Sequence, residues 1–268
     1  MTEKASSLKE TFEAYLKQAE EASFSGWDFS YVYSAGRIAE TPLKWNYYTG
    51  VMPYLRRAEA MLDMGTGGGE MLFRFQPLPP TTYATEQYRP NVAVAKKKLE
   101  PLGVKVFEIE EEKEPPFNSK LPFENEFFDL IINRHEAYYP PELVRLLKPG
   151  GTFITQQVGS LNLKTLVQFF LGKTIPLSNW NLKSAVDELE SAGFRIVRQL
   201  EDVQHYRFYD IGAIVYLLKA IPWTLGDFTG EEFTVERYRD RLWELHLKIC
   251  EDGYYDTPRH RFLVIAGK

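Results

Sequence analysis

Two short stretches hold the residues best suited to chemistry. In "MLDMGTGGGE", Asp63 is followed by Gly65, Gly67 and Gly69 at alternate positions, and a helix-like segment comes next. Small residues let a backbone pass close to a ligand, and the helix start behind them offers free N–H groups. In "LIINRHEAYYPPELVRLLKPGG" an apolar run ends on Arg134, His135 and Glu136. Imidazole titrates near neutrality, so His135 is a candidate general base, with Glu136 to orient it or to act itself. The competing reading is an ordinary polar loop whose side chains cap the next helix or bind a cofactor.

The glycine stretch restricts its own ligand. The dinucleotide pattern G-x-G-x-x-G would put a third glycine at position 70, where Glu70 stands, and the phosphate loop G-x-x-x-x-G-K-[ST] is missing. A pyrophosphate beside Asp63 and Glu70 would be repelled. A nucleoside without phosphates, preferably a cationic one, suits the loop better. Glu86 closes the next strand-like segment, about twenty residues on, where a carboxylate accepts both hydroxyls of a ribose in this kind of topology. A tight structural turn would explain the glycines alone, but not the carboxylate at that offset.

The elements that must position these residues follow from hydrophobic period. Residues 7–22 carry Leu8, Phe12, Tyr15, Leu16 and Ala19 at helical spacing. The Trp- and Tyr-rich segment after them lacks strand alternation, and 1–57 reads as an N-terminal helical cap. From Ala58 strands and helices alternate: "EAMLDMG", "TTYATE", "VKVFEI", "FFDLIIN" and "TFITQQV" are strands separated by helical segments. "FFDLIIN" is apolar without alternation, as in a parallel strand buried on both faces. "RIVRQLEDVQHYRFYD" and "RHRFLVIAGK" make seven strands. The last is expected antiparallel, at the sheet's edge. Two helical stretches, 211–221 and 234–250, precede it as an insertion over about 211–257. Alternation of this kind argues for a parallel α/β sheet.

Composition narrows the class. The chain has 268 residues, 44% hydrophobic and 26% charged, with a net charge of −5. It lacks the electropositive surplus of a general nucleic-acid binder. Its single cysteine, Cys250, excludes an internal disulfide and a cysteine-rich metal site, which suits a reducing cytosol. Cys250 is expected to pack on its late helix. The N-terminus lacks the basic start and apolar core of a signal peptide. The most apolar stretch, "IGAIVYLLKAIPW", is interrupted by Lys219 and is too short for a bilayer, which takes roughly 20 apolar residues. A cytoplasmic protein without a membrane partner is the expectation. No His/Asp/Glu spacing argues for a metal.

"LDMGTGGGE", "YATE" and "LKPGGTFI" resemble the class I S-adenosylmethionine-dependent methyltransferases. The resemblance covers about 58 to 158 well and the later strands more loosely. It implies a Rossmann-like, mainly parallel seven-stranded sheet with an antiparallel last strand in residues 58–268, S-adenosylmethionine as cofactor, and methyl transfer as the reaction. By position in the family pattern, Asp63, Gly65, Thr66, Gly67 and Gly69 lie along the methionine part of the cofactor. Glu86, with Gln87 beside it, binds the ribose. Glu110 faces the adenine amine, with a register open among Glu108, Glu110 and Glu111. The run "EIEEEKE" reads equally well as a solvated acidic loop. A polar residue after the fourth strand, here Asn133, contacts cofactor.

In an open α/β sheet ligands sit beyond the carboxyl ends of the strands, so residues 133–136 should lie beside the methyl group. His135 and Glu136 are then the candidate catalytic pair. Arg134, Trp45, Tyr47 and Tyr48 are the candidate substrate contacts, the aromatics closing over the sulfonium or an apolar substrate. Those rings could equally bind the cap to the sheet. Asn133 is followed by Arg134, not by the Pro-Pro-aromatic of enzymes that methylate nucleobase amines. A small-molecule O or N nucleophile is the leading acceptor. Ribosomal or transfer RNA is the alternative, and a non-catalytic S-adenosylmethionine-binding protein is the second alternative. Methyl transfer into extract pools separates the three.

Overall fold

The computed structural model describes residues 3–110, 120–176 and 178–268. Eight strands form one sheet: β1 (Ile38–Glu40), β2 (Ala60–Met64), β3 (Thr81–Glu86), β4 (Lys105–Glu108), β5 (Phe128–Arg134), β6 (Leu147–Val158), β7 (Arg195–Phe208) and β8 (Tyr255–Gly267). Their order is β1-β7-β8-β6-β5-β2-β3-β4. The run from β4 to β6 is parallel. β8 is antiparallel to both its neighbours, and β1 is antiparallel to β7. All five residues of β2 are buried, as a central parallel strand covered on both faces requires. Strand order reverses between β2 and its neighbours β3 and β5, which opens a cleft at their carboxyl ends.

Two sequence expectations about the sheet change. An eighth strand, β1, arises in the segment read as purely helical. Its three residues borrow the exposed edge of β7, and so short a strand leaves no alternation to detect. The last strand is not at the edge. β8 lies between β6 and β7, where Phe262, Leu263, Val264, Ile265 and Ala266 are all buried. A run of five buried apolar residues suits an interior strand.

Three cores result. One face of the sheet packs Met61, Ala84, Leu130, Ile132, Ile154 and Leu263 under the helix Tyr47–Leu55 and around Leu99. The other face packs Leu62, Ile131, Phe153 and Val264 against Leu143, Ala185 and Leu189. The third core joins both ends of the chain. Phe12, Leu16 and Ala19 of the helix Glu3–Glu21 meet Ile214, Leu218, Leu242 and Ile249. The later partners lie on the helices Ile211–Ala220 and Val235–Asp252, with Trp223–Thr229 as a third helix between them.

Polar contacts fix this cap. The Arg37 guanidinium donates to both carboxylate oxygens of Asp210, at 2.8 and 2.5 Å, and Asp210 in turn accepts from Ala213 N at 2.9 Å to cap its helix. Lys219, the charge inside the most apolar stretch, donates to Ala19 O and Glu20 O at 2.8 Å each. It thereby closes the carboxyl end of the N-terminal helix, where a cation is favoured. Among the described residues no helix is long and apolar enough to cross a membrane. Cys250 is exposed rather than packed, with Sγ 3.6 Å from His246 Nε2.

Candidate cofactor and reaction site

The glycine loop follows β2 and lies against β3. Gly65, Gly67 and Gly69 all have positive φ, at 67°, 62° and 81°, a region open to glycine and strained for most other residues. Two of them are also closely approached. A Cβ on Gly65 would stand 2.5 Å from Cβ of Glu136, and one on Gly67 would run into the indole of Trp27. The loop is thus sandwiched between the segment after β5 and the cap.

Glu86 ties the loop down. Its Oε2 accepts from Gly67 N at 2.6 Å and its Oε1 from Tyr88 N at 2.8 Å. The carboxyl is buried, and burial raises its pKa against the opposing effect of these N–H donors. Each carboxylate oxygen keeps a further lone pair for a ligand hydroxyl. Asp63, also buried, is pushed up to about 7, chiefly by loss of water and further by the Glu86 charge. Such a carboxyl stands ready to ionise against a cation.

A cleft of about 120 Å³ opens beside the loop, lined among others by Gly65, Thr85, Gln87, Ile109, Glu110 and Glu136. Glu110 therefore reaches the cleft. Glu108 instead pairs with exposed Arg89 at 3.0 Å, and Glu111 and Glu112 lie outside the described residues. Glu136 Oε1 accepts from Gln87 Nε2 at 3.3 Å and from Ala137 N at 3.0 Å, which bridges the segments after β5 and β3. Three buried polar atoms around the loop, Thr66 Oγ1, Thr85 Oγ1 and Asn133 Nδ2, have no hydrogen-bond partner among the described residues. Unpartnered polar atoms are costly, and a polar ligand would relieve them. The residues present accordingly suit a nucleoside with a cationic tail.

β5 divides the site by alternation. Asn133 faces one side, where its Oδ1 accepts from Thr155 Oγ1 at 2.8 Å and Gln157 Nε2 at 2.6 Å. Arg134 continues the opposite row, beyond Leu130 and Ile132. His135 adopts φ +65°, and its N donates to Gln156 O at 2.8 Å. Its ring Nε2 lies 3.2 Å from Gln156 Nε2. His135 is exposed by accessible surface, and Glu136 rather than His135 lines the cleft beside the glycine loop. Loss of water, then the charges of Arg134, Arg261 and Arg259, hold its pKa well below the usual 6.5. His135 is therefore a neutral imidazole at pH 7, the form a general base requires.

Residues before β2 reach this segment. Trp45 Nε1 donates to Gln156 Oε1 at 2.8 Å, and the Tyr47 hydroxyl donates to Asn133 O at 3.2 Å. Tyr48 lies elsewhere: it stacks on Phe75 with ring centroids 4.9 Å apart. Gln156 and Gln157, which connect the cap, His135 and Asn133, escaped the sequence reading. Their signal was two glutamines ending the apolar strand "TFITQQV". Arg259 and Arg261 escaped it too, although "RHR" opens an otherwise apolar strand. Among the described residues no group of three or more His, Cys, Asp or Glu could hold a metal ion.

Comparisons with known proteins agree with this geometry. Residues 62–155, from β2 through the glycine loop to β6, match the model of a methyltransferase domain. A candidate methyltransferase from Bacillus halodurans C-125 superposes with a TM-score of 0.53 at 17% identity, covering 82% of this chain and 98% of that one. The YcgJ protein from Bacillus subtilis gives a TM-score of 0.52 at 15% identity, covering 83% and 97%. A search of curated proteins finds no match. Residues 62–155 thus carry the sequence pattern of a methyltransferase domain across the glycine loop, and the chain shares the fold of these solved structures.

Proposed function

We propose that this chain is a class I S-adenosylmethionine-dependent methyltransferase that acts on an O or N nucleophile of a small molecule by in-line displacement. The observation that carries the reading is the cover over the site. Trp27 lies on Gly67, Trp45 is bonded to Gln156 and Tyr47 to Asn133, so the cap leaves a recess rather than an open platform. The net charge of −5 supports the same reading against RNA.

The cofactor supplies an electrophilic methyl group. The protein's part is to hold, orient and exclude water. Glu86 would accept the ribose hydroxyls, Glu110 would face the adenine amine, and Asp63 would stand near the sulfonium end. Glu136, between Gly65 and Gln87, is assigned to the cofactor cleft as well as to the reaction floor. His135 would take the acceptor's proton as the nucleophile attacks, or hold the nucleophile in line. Gln156 would fix the ring, and Trp45 would fix Gln156. We propose residues 1–57 and about 211–257 as one functional cap over the domain of 58–268.

The test uses labelled S-adenosylmethionine and cell extract, with and without ribonuclease. Label entering the small-molecule fraction in both samples is the expected result. Label entering RNA, and lost after ribonuclease, would move the acceptor to RNA. No transfer at all, with the cofactor bound, would leave a binding protein.

A further inference from the structure

Resting on that reading, we infer that the acceptor carries an anionic group, a carboxylate or a phosphate, taken up by Arg134 together with Arg261 and Arg259. The three arginines come from two strands. Arg134 ends β5, and Arg259 and Arg261 begin the apolar stretch of β8. Gln156 is the register partner of Arg134, and Val158 that of Arg261, so β6 alone separates the two strand positions. Arg134, Arg261 and Ile132, Leu263 follow the same side-chain alternation, which directs the cations to the face beneath the cap.

The charges here are poorly balanced. Arg259 pairs with Glu40 at 2.8 Å, and Glu40 is also bonded by the Tyr33 hydroxyl. Arg261 is buried and, among the described residues, held by neutral groups: Asn162 Oδ1 at 2.5 Å, His260 O at 2.8 Å and the Tyr206 hydroxyl at 2.7 Å. Arg259 and Arg261 both lie over the Tyr206 ring, at 5.7 and 5.8 Å. Arg134 feels the charge of Glu40, but its Nε has no hydrogen-bond partner among the described residues. The Nε atoms of all three are buried without a hydrogen-bond partner among the described residues. Glu40 is thus one carboxylate among three cations. Asp63, the other acid that feels Arg134, is committed to the cofactor side.

Cations gathered at one point repel one another, and an anion that binds among them relieves the repulsion. A chain that is acidic overall nevertheless gathers three arginines at one point. Arginine's planar fork matches carboxylate and phosphate oxygens, which explains why the cluster is not built of lysine. His135 adjoins the cluster, so an acceptor anchored there by its anion would place its nucleophile at the imidazole. A cavity of about 510 Å³ lined by Val158, Asn162, Leu163 and Trp223 lies next to the cluster, since its wall residue Asn162 is the one that holds Arg261.

The test titrates inorganic phosphate, and separately acetate, at constant ionic strength. It uses the full chain, free and loaded with S-adenosylhomocysteine, with calorimetry and thermal melting as readouts. At least one of the two ions should bind saturably and raise Tm. Which binds more tightly tells a phosphate-bearing acceptor from a carboxylate-bearing one. Arg134→Gln should weaken that binding at least tenfold, leave S-adenosylhomocysteine affinity within about threefold, and not lower Tm, because removing one of three clustered cations relieves their mutual repulsion. Absence of saturable binding by either ion overturns the inference, and so does equal binding by Arg134→Gln. A marked fall in Tm for that variant would make Arg134 structural and also overturn it. Competition between the ion and S-adenosylhomocysteine would hand the arginines to the cofactor's own carboxylate. Failure of S-adenosylhomocysteine to bind would sink the methyltransferase reading itself, an outcome distinct from all of these.

Discussion

The two halves of the site are built differently. The cofactor half, at the ends of β2, β3 and β4, is made by consecutive residues: one glycine loop, one carboxylate at a fixed offset and a buried aspartate. The reaction half, under the cap, is assembled from Trp45, Arg134, His135, Gln156, Arg259 and Arg261, which lie on four separated segments. On the proposed reading the first half, which is acidic, would bind through backbone and carboxylate, and the second, locally basic, through side chains. A single acidic pocket could hold the sulfonium but would repel an anionic acceptor. Dividing the charge would let the two ligands meet at His135.

Breaking the reaction half at its centre should have the largest effect. His135→Ala is expected to lower turnover by about 10²–10⁴-fold, the usual contribution of a general base, with S-adenosylhomocysteine affinity little changed. Because its pKa is held well below 6.5, wild-type turnover should stay level as pH falls from 8 to 6.5. A parallel loss of cofactor affinity would merge the two halves.

Arg37→Ala tests whether the cap is one unit. It leaves Asp210 buried without its cation, a change that typically costs about 3–5 kcal/mol. Thermal or urea unfolding should show the loss, and an unchanged midpoint would mean that the other cap contacts suffice.

Asp63→Asn sharpens the electrostatic contrast. The folded carboxyl titrates near 7 and the unfolded one near 3.8. Its stabilising contribution is therefore complete below pH 3.8 and is lost as pH rises through 7. Cofactor-free Asp63→Asn should gain stability relative to wild type at pH 8 compared with pH 5, read from unfolding midpoints at both. The opposite trend would mean that Asp63 is already paired.

Trp45→Phe should have the smallest effect. It removes one hydrogen bond to Gln156, worth about 1 kcal/mol, and loosens the support of His135. Turnover should fall several-fold while cofactor affinity holds.

The same contrast explains what could be read from sequence. The parallel strands were legible because "FFDLIIN" and "TTYATE" carry the burial of central strands in their composition. The glycine loop was legible because its residues are neighbours. The place of β8 was not, since strand period says nothing of which edge a strand pairs with. β1 was too short to show a period. The arginine cluster was invisible because register, not spacing, brings Arg134 of β5 close to Arg261 of β8. Lys219 looked like a break in an apolar run, and its role as a helix cap depends on a partner about 200 residues away.

The most direct test of the account is a calorimetric titration of S-adenosylmethionine into the wild-type chain and into Glu86→Ala. The wild type should bind at one site. Loss of two charge-assisted hydrogen bonds of about 1.5–3 kcal/mol each should weaken the variant by about a hundredfold or more. Release of Gly67 N and Tyr88 N should also lower its Tm. Equal affinity in both proteins, or tight binding of NADH in place of S-adenosylmethionine, would contradict the assignment of the glycine loop and Glu86 to this cofactor.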